Sequence, residues 1–413
     1  MGKLRFINNF DDHVVGSFGP SATTLTINNA APLGSLANGD FYFATLSDGV
    51  AFEVVKVTGT QGNDLTVERG LEGTQGLTYS TGNPIQIRDT AGTLASFVQA
   101  TEAPNLGKNR LINGAMLIWQ RQTYSLTSNN YVADRWRLSG YLAGVSKQNS
   151  GIAGMPYAMR VDAKSAPASN HVNMSQAIES VNVYPLQGKT VTFSVYVRVG
   201  SGFTGGLALI GNQSNSSDAV SGGSNLFSVA ATGVNTGWQR FEHTFSVPLD
   251  ALGLEVGINH SGITTNADAT DYFEMTGAQL EVGELATEFE YRPFGQEVAL
   301  CQRYFEKSYD FGTDLGTATG FSGSGAWDYR YSGGAAGTMR QTIHFRTIKR
   351  ALGTIGIWRP SNGTSGAWDS ASGGLAAVGL TIYSKSSNGF SFEYSATGSE
   401  TYISGHWACD SEL

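Results

Sequence analysis

Between residues 191 and 199 the chain reads Val-Thr-Phe-Ser-Val-Tyr-Val-Arg-Val. Val191, Phe193, Val195, Val197 and Val199 hold one parity, and Thr192, Ser194, Tyr196 and Arg198 hold the other. No helix gathers such a set on one side, because its faces repeat every 3.6 residues. A strand does, because it turns successive side chains to opposite faces. The segment is therefore a strand with one apolar face, which must be buried against another like it. Phe241, His243, Phe245 and Val247 repeat the pattern, as do Leu254, Val256 and Ile258. Sheets with one apolar face each pack face to face, so residues 109–293 read as a β-sandwich.

The same period recurs on either side. In residues 1–90, Leu25 and Ile27 alternate with Thr24 and Thr26, and Phe52, Val54 and Lys56 alternate with Glu53, Val55 and Val57. Ile85 and Ile87 close that set, and turn residues fall between at Asn38-Gly39, Asp48-Gly49 and Gly62-Asn63-Asp64. In residues 307–413 the pattern predicts strands over 339–347, 353–358, 378–383, 390–394 and 402–407, parted by Gly/Ser/Asn turns. Residues 91–108 form a linker in which Ala91, Leu94, Phe97 and Val98 suit a short helix.

At the far end of the sandwich, Leu280 and Val282 alternate with Glu281, and Phe289 and Tyr291 alternate with Glu288, Glu290 and Arg292, as in a strand. At Pro293 the period changes. Phe294, Val298, Cys301 and Phe305 make one helical stripe, with Glu297 in the first turn and Arg303 and Lys307 in the last, so a connecting helix is expected over 294–306. The fold class is all-β: three β domains in series (an N-terminal module, a sandwich and a C-terminal β-sandwich tip) with that one short helix. A chain of 413 residues suits three domains.

Composition excludes several functions. There are 26 Lys and Arg against 34 Asp and Glu, and no basic cluster, so nucleic acid is not an expected partner. No run of 18 apolar residues exists to insert into a membrane. The opening MGKLRFINNFDDHVV lacks the apolar core of a secretory signal. The two cysteines, Cys301 and Cys409, make neither a disulfide framework nor a zinc site. Coiled-coil heptads are absent, so any oligomer is held by the globular parts.

Catalytic signatures are missing too. The six histidines are scattered, without an HExxH, a GxSxG elbow or a P-loop. His243 shares an apolar parity and reads as a core residue; His344 and His406 fall on the opposite parity and read as partly exposed or placed near an oligomer axis. Glu281, Glu284, Glu288 and Glu290 are numerous enough for a glycosidase pair, yet beside a joint they read as solvated charges. Asp134 shares parity with Val132, Trp136 and Leu138, so its carboxylate points inward and needs a partner. Loop N–H groups, Arg121 or Arg135 are favoured over a structural calcium, and no cofactor is expected.

Aromatic rings flanked by small polar residues make adaptable, sugar-stacking surfaces. Trp119 and Trp136 alternate with core residues and read as core, which leaves Trp238 in the middle domain. In the last domain Trp327, Tyr329, Tyr331 and Trp368 lie in Gly-rich loops, and Trp358 tilts outward. These six are the candidate glycan-binding residues. Residues 211–225, GNQSNSSDAVSGGSN, read as a long polar loop.

Three ordered runs carry a family resemblance: NRLINGAMLIWQRQTYSLTSNNYVADRWRLSG from Asn109, QLEVGELATEFEYRPFGQEVALCQRYFEK from Gln279, and the closing YISGHWACDSEL. Together they resemble phage tail-fibre receptor-binding proteins, whose endings are usually written nearer to HWTADAEL. VVKVTGTQGNDLTVERGLEGT resembles N-terminal modules of tail and baseplate proteins. The resemblance implies a jelly-roll, carbohydrate-binding-module-like middle domain and a homotrimer in the virion tail, assembled in the host cytoplasm and acting at the cell surface. It implies attachment to a baseplate or tail protein through residues 1–90. It also implies adhesion, without catalysis, to a host lipopolysaccharide or capsule glycan through the tip. A structural baseplate or fibre-assembly protein and a glycan-cleaving tailspike are the alternatives.

Overall fold

A computed structural model describes residues 4–5, 7, 10–36, 39–88, 107–121, 124–127, 130–140, 143–163, 171–218, 224–262, 269–321, 323–330, 337–371, 375–396 and 402–413. The chain is all-β and divides into two compact units, Met1–Leu106 and Gly107–Leu413. The helix expected around Ala91, Leu94, Phe97 and Val98, and Tyr331, lie outside the described residues.

In the first unit, β1 (Asp11–His13), β2 (Thr24–Thr26), β3 (Tyr42–Ser47), β4 (Phe52–Gln61), β5 (Asp64–Leu71) and β6 (Pro84–Gln86) form one antiparallel sheet in the order β1-β6-β3-β4-β5-β2. Of the two parities of β4, the one carrying Glu53, Val55 and Val57 is fully buried, while Phe52 is exposed. Glu53 is tolerated there because Arg69 reaches both its oxygens, Nη2 to Oε2 at 2.5 Å, and stacks on Phe18 with its guanidinium 4.1 Å from the ring centre.

The sandwich of the second unit is built from two six-stranded antiparallel sheets. Its strands are β7 (Tyr124–Thr127), β8 (Asn130–Tyr131), β9 (Arg137–Gly140), β10 (Ala143–Ile152), β11 (Met155–Ala163), β12 (His171–Ile178), β13 (Thr190–Val199), β14 (Gly206–Ser214), β15 (Ser224–Ala230), β16 (Gln239–Ser246), β17 (Gly253–Ser261) and β18 (Phe273–Val282). One sheet runs β16-β13-β18-β11-β10-β7 and the other β15-β14-β17-β12-β9-β8. The valine parity of β13 meets Val256 and Ile258 of β17 in one core with Trp136, Met174 and Phe273. The ends of the stretch expected as a loop belong to paired strands instead, Gly211 to Ser214 ending β14 and Ser224 and Asn225 opening β15, while 215–218 lie outside any strand and 219–223 outside the described residues. Amide and hydroxyl side chains on an outward parity carried no hydrophobic signal for a strand.

Two features of the joint differ from expectation. Residues 283–293 are not a strand. They cross the sheet as irregular chain, fastened by Glu290 accepting the Gly107 and Asn109 N–H groups and by Arg292 donating to Asn109 and Leu111 carbonyls. The helix α1 (Phe294–Gln302) is shorter than expected. Arg303 caps its C-terminus, and Phe305 and Lys307 belong instead to a strand.

The remaining strands are β19 (Phe305–Lys307), β20 (Trp327–Arg330), β21 (Gly337–His344), β22 (Thr354–Trp358), β23 (Trp368–Ala371), β24 (Leu375–Val378), β25 (Thr381–Ser386), β26 (Gly389–Ala396) and β27 (Tyr402–Asp410). β27 is the hub: β19, β20, β22 and β23 all pair with it. A three-stranded sheet β21-β26-β25 closes the core over Trp368, Phe392 and Trp407. Gly405 lies under the Trp368 indole, where a Cβ would stand 1.9 Å from Cδ2. Gly405→Ala is therefore expected to cost about 1–3 kcal/mol by overpacking, read as a lowered thermal midpoint. An unchanged midpoint would mean the indole swings aside freely.

The end of the chain locks this part to the sandwich. Glu412 sits between Arg121, at 3.2 Å, and Arg135, whose guanidinium stacks 3.6 Å from the Tyr304 ring centre. Tyr131 donates to the Leu413 carbonyl. No described helix is long and apolar enough to cross a membrane.

Candidate functional site

The inward parities of β12, β14, β15 and β17 build the core, so the outward ones are free to face solvent. They carry amides. Asn173 of β12 stands opposite Asn259 of β17, and Asn212 of β14 opposite Asn225 of β15. Ile210 lies between Gly257 and Ser228, and Ser261 between His171 and Gly206. Together His171, Asn173, Ile210, Asn212, Asn225, Ser228, Asn259 and Ser261 line an open groove of about 380 Å³. Gly257 keeps its floor bare; any Cβ there would come 2.2 Å from the Met174 carbonyl.

A hydrogen-bonded net fixes the lining. Asn259 donates to Asn173 Oδ1 at 2.6 Å. Asn225 donates to the Phe227 carbonyl at 3.2 Å and, at a longer 3.4 Å, toward Asn212 Oδ1. Beside them, on the same face, Glu255 accepts from Ser175 Oγ at 2.6 Å and from Asn212 at 3.3 Å. Side chains held this way present polar atoms at fixed positions, at little entropic cost to a ligand. The arrangement can bind a polar molecule.

The sequence candidates are scattered. Trp368 is a correction: it opens a strand, is fully buried, and donates through Nε1 to the His406 carbonyl, so it shows no face to a ligand. Trp327 also opens a strand instead of lying in a loop. It is half-buried, 5.3 Å from Trp368 and 5.2 Å from Phe392 between ring centres, with Tyr329 nearly parallel at 5.9 Å. Both pair with the Ile403 and Gly405 side of β27, whereas Trp358 pairs with His406 and so stands on the other face. Trp238, half-buried, donates to the Ser150 carbonyl and lies 4.6 Å from the Arg198 guanidinium. No common platform results from these rings.

The titratable candidates are structural fasteners. Asp134 is fully buried and accepts both the Gln120 N–H and Gln120 Nε2, each at 2.7 Å. Burial pushes its pKa up to about 6, with Arg121 pulling the other way. Among the described residues no cluster of three or more His, Cys, Asp or Glu is placed to hold a metal. Glu281 is buried rather than solvated, accepting Thr287 N–H and Oγ1 and Gln279 Nε2. His243 is half-buried against Phe227 and Phe245, and His344 is exposed. His406 is fully buried, against expectation, between Ser308 Oγ and Thr319 Oγ1 at 3.0 and 2.8 Å.

The groove was missed because attention to apolar parity discards the other parity. Its signal was present: Asn or Ser fills the outward positions of four strands where Thr, Lys and Glu are more usual.

The fold and groove define a β-sandwich of two six-stranded antiparallel sheets with a polar cleft on one outer face. No protein-family model matches the chain, and no curated protein matches it. Among solved structures, the enzymatically active domain of tailspike protein 4 from bacteriophage CBA120 is similar at 15% identity and a TM-score of 0.28, over 42% of this chain and 21% of that one. The matched region thus spans about a fifth of the tailspike. A CBM4 module is similar at 14% identity and TM-score 0.28, over 41% of this chain and 98% of its own. The C-terminal family 22 carbohydrate binding module of Clostridium thermocellum Xyn10B matches at 14% identity and TM-score 0.30, over 45% of this chain and 100% of its own. At such scores the likeness carries no argument about ligand or activity.

Proposed function

We propose that the chain is an adhesive, non-catalytic receptor-binding protein of a phage tail fibre, and that its sandwich groove holds a glycan of the host surface. The observation that carries the reading is the groove itself: four carboxamides and two serine hydroxyls converge on an open cleft with a fixed lining. Sugars are recognised by such convergent hydrogen-bonding groups. The three sequence runs resembling tail-fibre proteins support the biological setting, with residues 1–90 as the attachment end and the tip rings as accessory contacts. In the proposed homotrimer, three weak sites act together, and effective concentration raises avidity roughly 10²–10⁴-fold.

The test is adsorption of the purified full chain to host cells and to their extracted polysaccharide. Binding is expected, with a trimer by light scattering and no release of reducing ends. Asn259→Ala is expected to weaken single-site binding about 5-fold, the worth of one lost hydrogen bond with its partner left unpaired. New reducing ends would favour a tailspike. Absence of binding, with particles left incomplete when the protein is missing, would favour a structural part.

A further inference from the structure

We propose that the groove selects an uncharged sugar ring by its neighbouring hydroxyls, using paired carboxamides in place of ring stacking or charge. This deepens the reading of the groove as a glycan site and rests on it. A carboxamide carries two donors and an acceptor oxygen side by side. Between Asn173 and Asn259 one donor and one lone pair are consumed by their mutual bond. Whichever way round the amides stand, three donors and the rest of both oxygens remain, on side chains half-open to the groove. Two adjacent ring hydroxyls match that set, since each gives one hydrogen and accepts another. The second amide pair, Asn212 and Asn225, repeats the motif on the next strands.

Charge selection follows from what surrounds the amides. No Lys or Arg is among the described lining residues, which include one imidazole, His171, and Glu255 stands beside Asn212 on the same face, bonded to it and to Ser175. A sulfate, phosphate or uronate would meet no Lys or Arg there and would lie beside a carboxylate, losing hydration with little in return. Arg137, opposite Ser175 on β9, is the cation nearest in register and lies one strand outside the Asn173 row. Nor is there a Phe, Tyr or Trp among the described lining residues, whose one ring is the His171 imidazole; Ile210 is their one large apolar side chain. Recognition therefore runs through hydrogen bonds alone, which are geometrically strict and insensitive to salt.

The experiment measures binding of the full chain, by calorimetry, to neutral oligosaccharides, to matched uronate- or sulfate-bearing ones, and to the neutral ligand after periodate, which cleaves neighbouring diols. The neutral ligand is expected to bind and its periodate product to fail. Affinity should change less than about twofold from roughly 0.05 to 0.5 M salt, a range over which paired charges are strongly screened. Asn173→Ala and Asn259→Ala should each weaken binding about 5-fold while lowering the thermal midpoint by only about 2–4 °C, and Asn173→Ser should recover part of the binding loss. Preference for the acidic ligands, with affinity falling in salt, would overturn this inference and leave the glycan reading standing. Neutral binding untouched by both alanine variants would also overturn it. No glycan bound at all would overturn both.

Discussion

Lys349→Ala is expected to destabilise the C-terminal part of the chain by about 3–5 kcal/mol, the range for a buried ion pair stripped of one partner. Lys349 and Glu306 are both fully buried, with Nζ 2.5 Å from Oε2. The ammonium also donates to the Gln302 carbonyl at 2.6 Å and the Thr347 carbonyl at 2.9 Å, and Glu306 Oε1 accepts the Arg346 N–H at 3.0 Å. Burial alone drives the Lys349 pKa down, and Glu306 opposes it. Removing the lysine leaves a carboxylate in the dark with a single N–H. The pair also ties the end of α1 and strand β19 to the turn before β22, so its loss loosens the joint and the tip together. Denaturant midpoints should show the loss, and the double variant Lys349→Met with Glu306→Leu should recover most of it, because no lone charge remains. A single variant as stable as the parent would show that water reaches the site.

What the sequence made legible follows the same physics. Strand period is written in apolar residues, so β13, β17 and the inner face of β4 could be read directly, and Trp119 and Trp136 fell into the core as their parity required. The tip was harder. Gly-rich stretches around Trp327 and Trp368 look like loops, yet glycine lets large rings sit against the backbone of β27, as Gly405 does for Trp368. A ring beside glycines was therefore core, and the ends of a polar run of Asn and Ser were strand edges lining a groove. Residues 288–292 alternate like a strand but are held by Arg292 and Glu290 to the chain entering the sandwich, contacts nearly two hundred residues apart in sequence. Local periodicity cannot register such long-range fasteners. Glu412 between Arg121 and Arg135 is of the same kind.

Two buried titrating groups make opposite demands on pH, and separating them is the sharper test of the fold. His406 is stacked on Tyr309, with ring centres 3.6 Å apart, and burial lowers its pKa to about 4 from the ordinary 6.5. The unfolded chain takes up that proton first, so the stability due to neutral His406 is complete above about pH 6.5. It drains away as pH falls toward 4. Its full shift corresponds to roughly 3 kcal/mol, with Asp328 and Asp310 pulling against the effect of burial. Asp134 runs the other way. Its folded pKa of about 6 exceeds the ordinary 3.8, so the folded chain takes up the proton first and gains stability as pH falls from about 6 to 4, by up to roughly 3 kcal/mol. Over pH 4–6 the two contributions offset each other. Asp134→Asn should therefore steepen the loss of thermal midpoint on acidification relative to the parent, and His406→Gln should flatten or reverse it. Comparison within the same window cancels every other carboxylate. Parallel midpoint-versus-pH curves for all three proteins would mean that neither group is held in the ionisation state its burial dictates.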